Sequence, residues 1–333
     1  MKHSSWMAAL AVAAACGLLL WLWLDRSGPP PALAPMGTGI ESTAPRPGLD
    51  LTEPEDLRLL NTTAPSALPA LPDPQAPLVQ RLDQLAERFR AGDAASACRI
   101  AAELVRCRTL RNTGSFSDDR AIDALARMDL DDAELESRTA ELDRLLAQNR
   151  RARSDCEALE PARVEQASRY FLAAARRGHV PSMQQFANAV GIDGESLLRD
   201  PQLYHAYRME AWPMFQRAFE SGHPAAASMW HWALESRGFA FFAGVIPDEW
   251  RQTGTARALS QLMAEELGYA GDRSRMEGVE PEDYSRAQVL FDTHFRGSPW
   301  LEQARQQALA PQPPFVGAPR LPDYAAQCED AGR

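Results

Sequence analysis

Glutamate and serine stand next to each other at two places in the chain, Glu195-Ser196 and Glu235-Ser236. A positioned glutamate can protonate a leaving oxygen as a general acid, which makes each pair a candidate for hydrolytic chemistry. The sequence contains no H-E-x-x-H, G-x-S-x-G or G-x4-G-K-[ST] motif, the patterns of zinc peptidases, serine hydrolases and phosphate-binding loops. Because a solitary glutamate on a helix is usually a solvated residue, we predict a protein that is not an enzyme, with no catalytic residue and no cofactor.

The cysteines predict disulfide chemistry. Four of them, Cys98, Cys107, Cys156 and Cys328, follow the N-terminal segment, and an even number outside the cytoplasm favours two disulfides. Cys98 and Cys107 cannot pair in a continuous helix, where nine residues separate them by about 13 Å. We favour the pairs Cys107–Cys156 and Cys98–Cys328 over the crossed alternative, whereas four free thiols would indicate a cytoplasmic location. No metal site is predicted, since no C-x2-C or C-x2-H spacing occurs.

Aromatic residues are concentrated around the segment GFAFFAGVIPDEW, which is too apolar for an exposed connector. The candidate binding residues are Trp212, Trp230, Trp232, Phe239, Phe241, Phe242 and Trp250. Such side chains often carry the binding energy of a protein interface. Packing in the core is the competing interpretation, and it applies in particular to Trp230, which shares helical spacing with Ala226, Ala227 and Ala233.

A set of residues recurs at the same offsets after 44 positions. The first copy is Ala167, Phe171, Ala174, Gly178 and His179, and the second is Ala211, Phe215, Ala218, Gly222 and His223. Glycine at such a position ends a helix in the left-handed conformation, the phenylalanines fill the space between paired helices, and the histidines cap or pack each turn rather than bind a metal. Repeats of this length predict stacked helix pairs.

The phrase A-x3-F-x2-A-x3-G-H, followed by a second helix and a later G-V-x-x-[DE], resembles the Sel1-like repeat, a relative of the tetratricopeptide repeat. The later phrase begins at Gly244 and again at Gly278, and the resemblance covers about residues 160–300. It implies a right-handed α-solenoid of antiparallel helix pairs and a scaffold or adaptor role, in bacteria often with membrane-associated partners. The repeats are degenerate, because 22 residues separate Gly222 from Gly244 and bulky Met183, Phe186 and Trp230 replace expected small residues.

Apolar residues recur at helical spacing from Leu78 onwards, and alternating patterns typical of strands are nearly absent. The region is therefore predicted to be all-α. The expected helices cover 78–91, 94–109, 118–128, 131–153, 161–177, 180–190, 200–220, 224–236, 255–267, 283–296 and 299–309.

Four regions divide the chain. Residues 1–24 contain nineteen uncharged residues, 6–24, which as a helix span about 28 Å and predict a single membrane anchor; cleavage as a signal peptide and lipidation at Cys16 are the alternatives. Residues 25–77 hold twelve of the 25 prolines, which predicts a disordered linker. The solenoid occupies 78–310 and a Pro-rich tail 311–333. Lys2 before the apolar run favours a cytoplasmic N-terminus and a periplasmic solenoid.

The net charge of the chain bears on which kind of partner it can bind. The net charge is −10 and no Lys/Arg run is interleaved with aromatic residues, which argues against nucleic acid, and no small-molecule substrate is identified. We therefore expect a bacterial inner-membrane scaffold whose periplasmic domain binds a protein partner of the cell envelope. The alternative is a peptidoglycan-acting enzyme or accessory that uses Glu195 or Glu235. These Glu-Ser pairs resemble the general-acid motif of lytic transglycosylases, without its companion motif rich in Gly, Met and Gln.

Overall fold

The protein was analysed as a computed structural model, which describes residues 68–113, 116–235, 240–269, 278–309 and 328–329. Over these residues the regular structure is helical and contains no strand, so the predicted all-α class is confirmed there. The predicted membrane anchor, 6–24, lies outside them. Among the helices that are described, none has the length and apolar character needed to cross a bilayer.

The helices follow one another along the chain with short connections. They are α1 (Leu78–Arg90), α2 (Ala94–Thr113), α3 (Phe116–Ala126), α4 (Asp132–Glu157), α5 (Pro161–Val164), α6 (Ala167–Arg176), α7 (Val180–Ala187), α8 (Gly194–Arg199), α9 (Pro201–Glu220), α10 (Pro224–Glu235), α11 (Ala240–Ala243), α12 (Thr253–Glu266), α13 (Pro281–Leu290) and α14 (Pro299–Leu309). A 3-10 turn, Asp248–Trp250, precedes α12, and a π-helical segment, Phe291–Phe295, continues α13.

Aspartates begin three of the helices. The side chains of Asp131, Asp193 and Asp200 accept hydrogen bonds from backbone N–H groups three residues later, at 2.8, 2.6 and 3.0 Å. Such caps satisfy donors that have no partner inside the helix. Proline occupies the first helical position at Pro161, Pro201 and Pro281, where no N–H is needed.

The packing proceeds in chain order. Neighbouring pairs are α1 with α2, α2 with α6, α6 with α7, α7 with α9, α9 with α10, α10 with α12 and α12 with α13. Helices α3 and α4 form a pair of their own, and α4 also rests on α1 and α2. Helix α14 packs outside this series, against α10.

Two buried clusters make up the core. The first joins α1, α2, α6, α7 and one face of α9, which runs from Leu203 to Ala218, around fully buried Leu82, Leu104 and Phe171. The second joins Phe215 and Phe219, on an adjacent face of α9, to α10, α12, the π-helical segment and α14, around Phe215 and Trp230. A smaller third cluster belongs to α3 and α4. Helix α9 contributes to both large clusters, so it connects the two halves of the core.

Two glycine turns have the geometry expected from the repeat. Gly178 and Gly222 have φ of 89° and 75°, and in both turns the N–H of the next residue reaches back to the carbonyl of an alanine in the preceding helix. The bonds are His179 N–H to Ala174 at 3.2 Å and His223 N–H to Ala218 at 3.0 Å. Each turn therefore closes its helix by the same six-residue bond, and the left-handed glycines predicted from the sequence are confirmed.

Candidate functional site

The aromatic segment divides between interior and surface. Four of the seven candidate binding residues are buried or partly buried and pack in the second core cluster: Trp212, Trp230, Phe242 and Trp250. Trp232 and Phe241 are exposed, at 40% and 42% of their surfaces. Phe239 lies outside the described residues. The core interpretation therefore accounts for four of the seven side chains, and Trp230 is nearly inaccessible, as its spacing predicted.

The packed rings hold the 3-10 turn in place. The ring of Trp250 lies 5.2 Å from those of Trp212 and Trp230 and 5.5 Å from that of Phe219, in edge-on arrangements that favour aromatic contact. The indole N–H of Trp230 donates to the backbone carbonyl of Trp250 at 2.8 Å. This hydrogen bond satisfies a buried donor and fixes the turn against α10.

Beside Trp250 a groove of about 420 Å³ opens between the 3-10 turn, the start of α12 and α13. Its apolar wall consists of Trp230, Trp250, Val289 and Leu290. Its polar rim consists of Glu249, Gln252, Glu282, Ser285 and Arg286. Val289 is 64% exposed, so its side chain is accessible to a ligand in the groove. We call this site the Trp250–Val289 groove.

Hydrogen bonds order the rim of the groove. Arg286 donates to Gln252 Oε1 at 3.3 Å and to Glu282 Oε1 at 3.0 Å. The amide of Gln252 in turn donates to the backbone carbonyl of Glu249 at 2.6 Å. The rim therefore links the 3-10 turn to α13, and the one guanidinium that lines the groove is already engaged.

The two glutamates of the enzymatic alternative lie elsewhere. Glu235 on α10 accepts a hydrogen bond from Arg257 Nε at 2.6 Å and lies 3.6 Å from the imidazole of His231. Glu195 in the first turn of α8 is exposed and pairs with Arg199 one turn later. Neither lines the Trp250–Val289 groove. Each of the two carboxylates thus pairs with an arginine.

The two repeat histidines occupy equivalent turns with different partners. His179 Nδ1 accepts from the N–H of Ser182 at 3.3 Å and lies 2.8 Å from its hydroxyl. In the second turn the equivalent of Ser182 is Ala226, and the buried Nδ1 of His223 has no hydrogen-bond partner among the residues that the structure describes. Its ring instead lies 5.2 Å from that of Trp300. The residues described contain no group of three His, Cys, Asp or Glu side chains that could hold a metal.

The burial of His223 predicts that the stability of the protein depends on pH. Burial, together with the neighbouring His179, lowers the pKa of His223 to about 4. The unfolded chain binds this proton below pH 6.5 and the folded chain only near pH 4, so stability falls as the pH drops through this window. Between pH 7.5 and pH 5 the wild type should lose about 1–2 kcal/mol more free energy of unfolding than His223→Gln. Urea unfolding at both pH values measures the difference, and an equal loss in both proteins would contradict it.

Both cysteine pairs favoured from the sequence are present. The S–S distance is 2.04 Å in Cys98–Cys328 and 1.98 Å in Cys107–Cys156. Cys328 is fully buried, and its carbonyl lies 3.2 Å from His179 Nε2. The first disulfide therefore fixes this point of the C-terminal tail to α2 and to the first glycine turn.

The α13 side of the groove was not among the sites predicted from the sequence. Val289, Leu290 and Arg286 lie more than thirty residues from Trp250 along the chain. The only signal was the repeated phrase at Gly244 and Gly278, and its two copies fold differently: the first leads into a 3-10 turn, whereas the second leads into the ten-residue helix α13. A shared phrase thus indicated related segments without showing that their side chains meet.

Comparison of the chain with protein-family models, with curated proteins and with solved structures found no match. The function is therefore inferred from the groove, the core and the cysteine pairs of the chain itself.

Proposed function

We propose that the protein is a non-catalytic adaptor, anchored in the bacterial inner membrane, which binds a protein partner of the cell envelope through the Trp250–Val289 groove. The observation that carries this proposal is the exposed aliphatic side chain of Val289, which lines the same groove as Trp250, a tryptophan held in place by ring contacts. Aromatic and aliphatic anchors in well-packed pockets supply most of the energy of protein interfaces. A rigid wall also reduces the entropy lost on binding.

The helix packing supports a right-handed α-solenoid built from Sel1-like repeats. Most neighbouring helices pack in chain order, as the units of a solenoid do. Equivalent residues of the two repeat copies also have equivalent environments: the phenylalanines Phe171 and Phe215 are both fully buried, and the glycines both close their helices in the left-handed conformation. Solenoids commonly present extended surfaces to protein partners.

The cysteine pairs and the N-terminal sequence support the proposed location. Disulfides persist in oxidising compartments such as the bacterial periplasm, and both pairs lie at bonding distance. An anchor at 6–24 followed by a Pro-rich spacer would keep the binding domain near the membrane. Such tethering raises the local concentration of the groove around membrane partners.

Photocrosslinking in cells tests the proposal. A benzophenone amino acid is placed in the full-length protein at position 289, and separately at position 198, where Leu198 on α8 is 86% exposed and does not line the groove. We expect a discrete protein adduct from position 289 that is absent from position 198. The same adducts from both positions, or none from position 289, would refute the assignment of the groove.

Glu195→Gln and Glu235→Gln test the enzymatic alternative, because a loss of peptidoglycan turnover in either variant would favour that alternative.

A further inference from the structure

The rim of the Trp250–Val289 groove is acidic. Of the charged residues that line the groove, Glu249 and Glu282 are carboxylates and Arg286 is a cation. Arg286 already pairs with Glu282 at 3.0 Å, and the side chain of Glu282 remains 82% exposed. Glu249 is exposed as well. The rim therefore carries a net negative charge that is accessible to a ligand.

The groove is small, and part of its lining is the apolar wall described above. The groove volume of about 420 Å³ lies near the lower end of the range for binding clefts, about 300–1,000 Å³. An amphipathic helix laid in a groove uses apolar anchors over two turns of its length. A cleft of this volume instead suits one or two large apolar side chains from a short segment.

The apolar wall and the acidic rim together indicate which kind of peptide segment the groove can bind. We infer that the groove binds a short linear segment of the partner protein in which a large apolar side chain is flanked by arginine or lysine. The apolar side chain would contact Trp250 and Val289, and the flanking cations would approach Glu249 and Glu282. This inference rests on the proposed function, because it specifies the ligand of the same groove.

Charge explains why a basic segment is preferred. Hydrogen bonds between a guanidinium or ammonium group and a carboxylate are stronger than neutral ones, and the exposed face of an indole attracts cations. An acidic segment would meet like charges at the rim, which disfavours binding. Because the rim is exposed, its contribution should weaken as salt screens it.

Selection from a library of random twelve-residue peptides tests the inference. Phage that display the library are selected on the purified full-length protein and, in parallel, on Val289→Ser, with Leu198→Ser as a matched control for an exposed apolar residue outside the groove. We expect peptides with an apolar residue between arginines or lysines to be enriched on the wild type and on Leu198→Ser, and to be lost on Val289→Ser. Circular dichroism confirms that all three proteins keep their helix content.

Affinity measurements on the most enriched peptide separate the two contributions. By fluorescence anisotropy, Val289→Ser should raise the Kd at least tenfold. The double variant Glu249→Gln and Glu282→Gln should raise it three- to tenfold at low salt, and by much less at 0.5 M salt.

Two outcomes of the selection would contradict the inference. Enriched peptides that depend on Val289 but carry no basic residue would overturn the inference and leave the proposed function standing. Absence of any peptide that depends on Val289 would also overturn it, while crosslinking from position 289 decides the proposed function independently.

Discussion

Replacing Gly222 by alanine should destabilise the protein far more than the same change at Gly178. Both residues have positive φ, 75° and 89°, and an alanine in this conformation costs about 1–2 kcal/mol. A Cβ on Gly178 would meet no atom within 4 Å, whereas a Cβ on Gly222 would lie 2.3 Å from the carbonyl oxygen of His294 and 2.5 Å from Cβ of Ser298. Adding the cost of overpacking brings the loss at Gly222 to about 2–5 kcal/mol.

Urea unfolding followed by circular dichroism measures both variants, and Gly178→Ala supplies the matched control for the backbone term. The difference between them reports how tightly the turn between α9 and α10 packs on the start of α14. Ser298 at that junction donates to the carbonyl of Gly222 at 2.9 Å and accepts from the N–H of Leu301 at 3.1 Å. Equal losses of unfolding free energy in the two variants would contradict the structure, because they would mean that the junction accommodates the added methyl group without destabilisation.

The helices were largely predictable because helix signals are local. Helices α1, α10 and α14 end within one residue of the predicted ends, and the glycine turns were readable because glycine tolerates positive φ. The predicted helix 161–177 is interrupted at Glu165 and Gln166, where α5 ends and α6 begins. Helices α8 and α11 were missed, since four to six residues are too few to establish a periodic pattern.

The groove was only half predictable. Trp250 stood out by composition, but its burial depends on contacts with Trp212 and Phe219 on another helix. Val289 lies on another helix, and only tertiary packing brings it to the same groove as Trp250. Residue types indicate what a side chain can do, whereas its partners across the groove are set by helix packing that no local pattern encodes.

Removing either disulfide should cost several kcal/mol. A cross-link stabilises mainly by restricting the unfolded chain, and more so for longer loops. For Cys107–Cys156, with a sequence separation of 49, the loop-entropy relation gives about 4 kcal/mol. Cys98–Cys328 has a separation of 230, and about 5 kcal/mol is an upper limit because the other disulfide shortens its loop. The paired variants Cys107→Ala with Cys156→Ala, and Cys98→Ala with Cys328→Ala, remove each bond without leaving a free thiol.

Urea unfolding without reductant should therefore show a loss of about 2–5 kcal/mol in each paired variant. A variant that lacks the four paired cysteines is the control, because dithiothreitol should destabilise the wild type and leave the stability of this variant unchanged. Paired variants as stable as the wild type would contradict the cross-links.

Alkylation of intact cells followed by mass spectrometry without reduction then relates stability to location. Cys16 lies within the proposed anchor, so the test concerns the other four cysteines, and with both disulfides formed none of them should take up the label. Disulfides at these four would agree with a periplasmic domain, since the cytoplasm keeps thiols reduced. Labelled thiols at all four would reverse the proposed orientation and direct the search for a partner of the Trp250–Val289 groove to the cytoplasm.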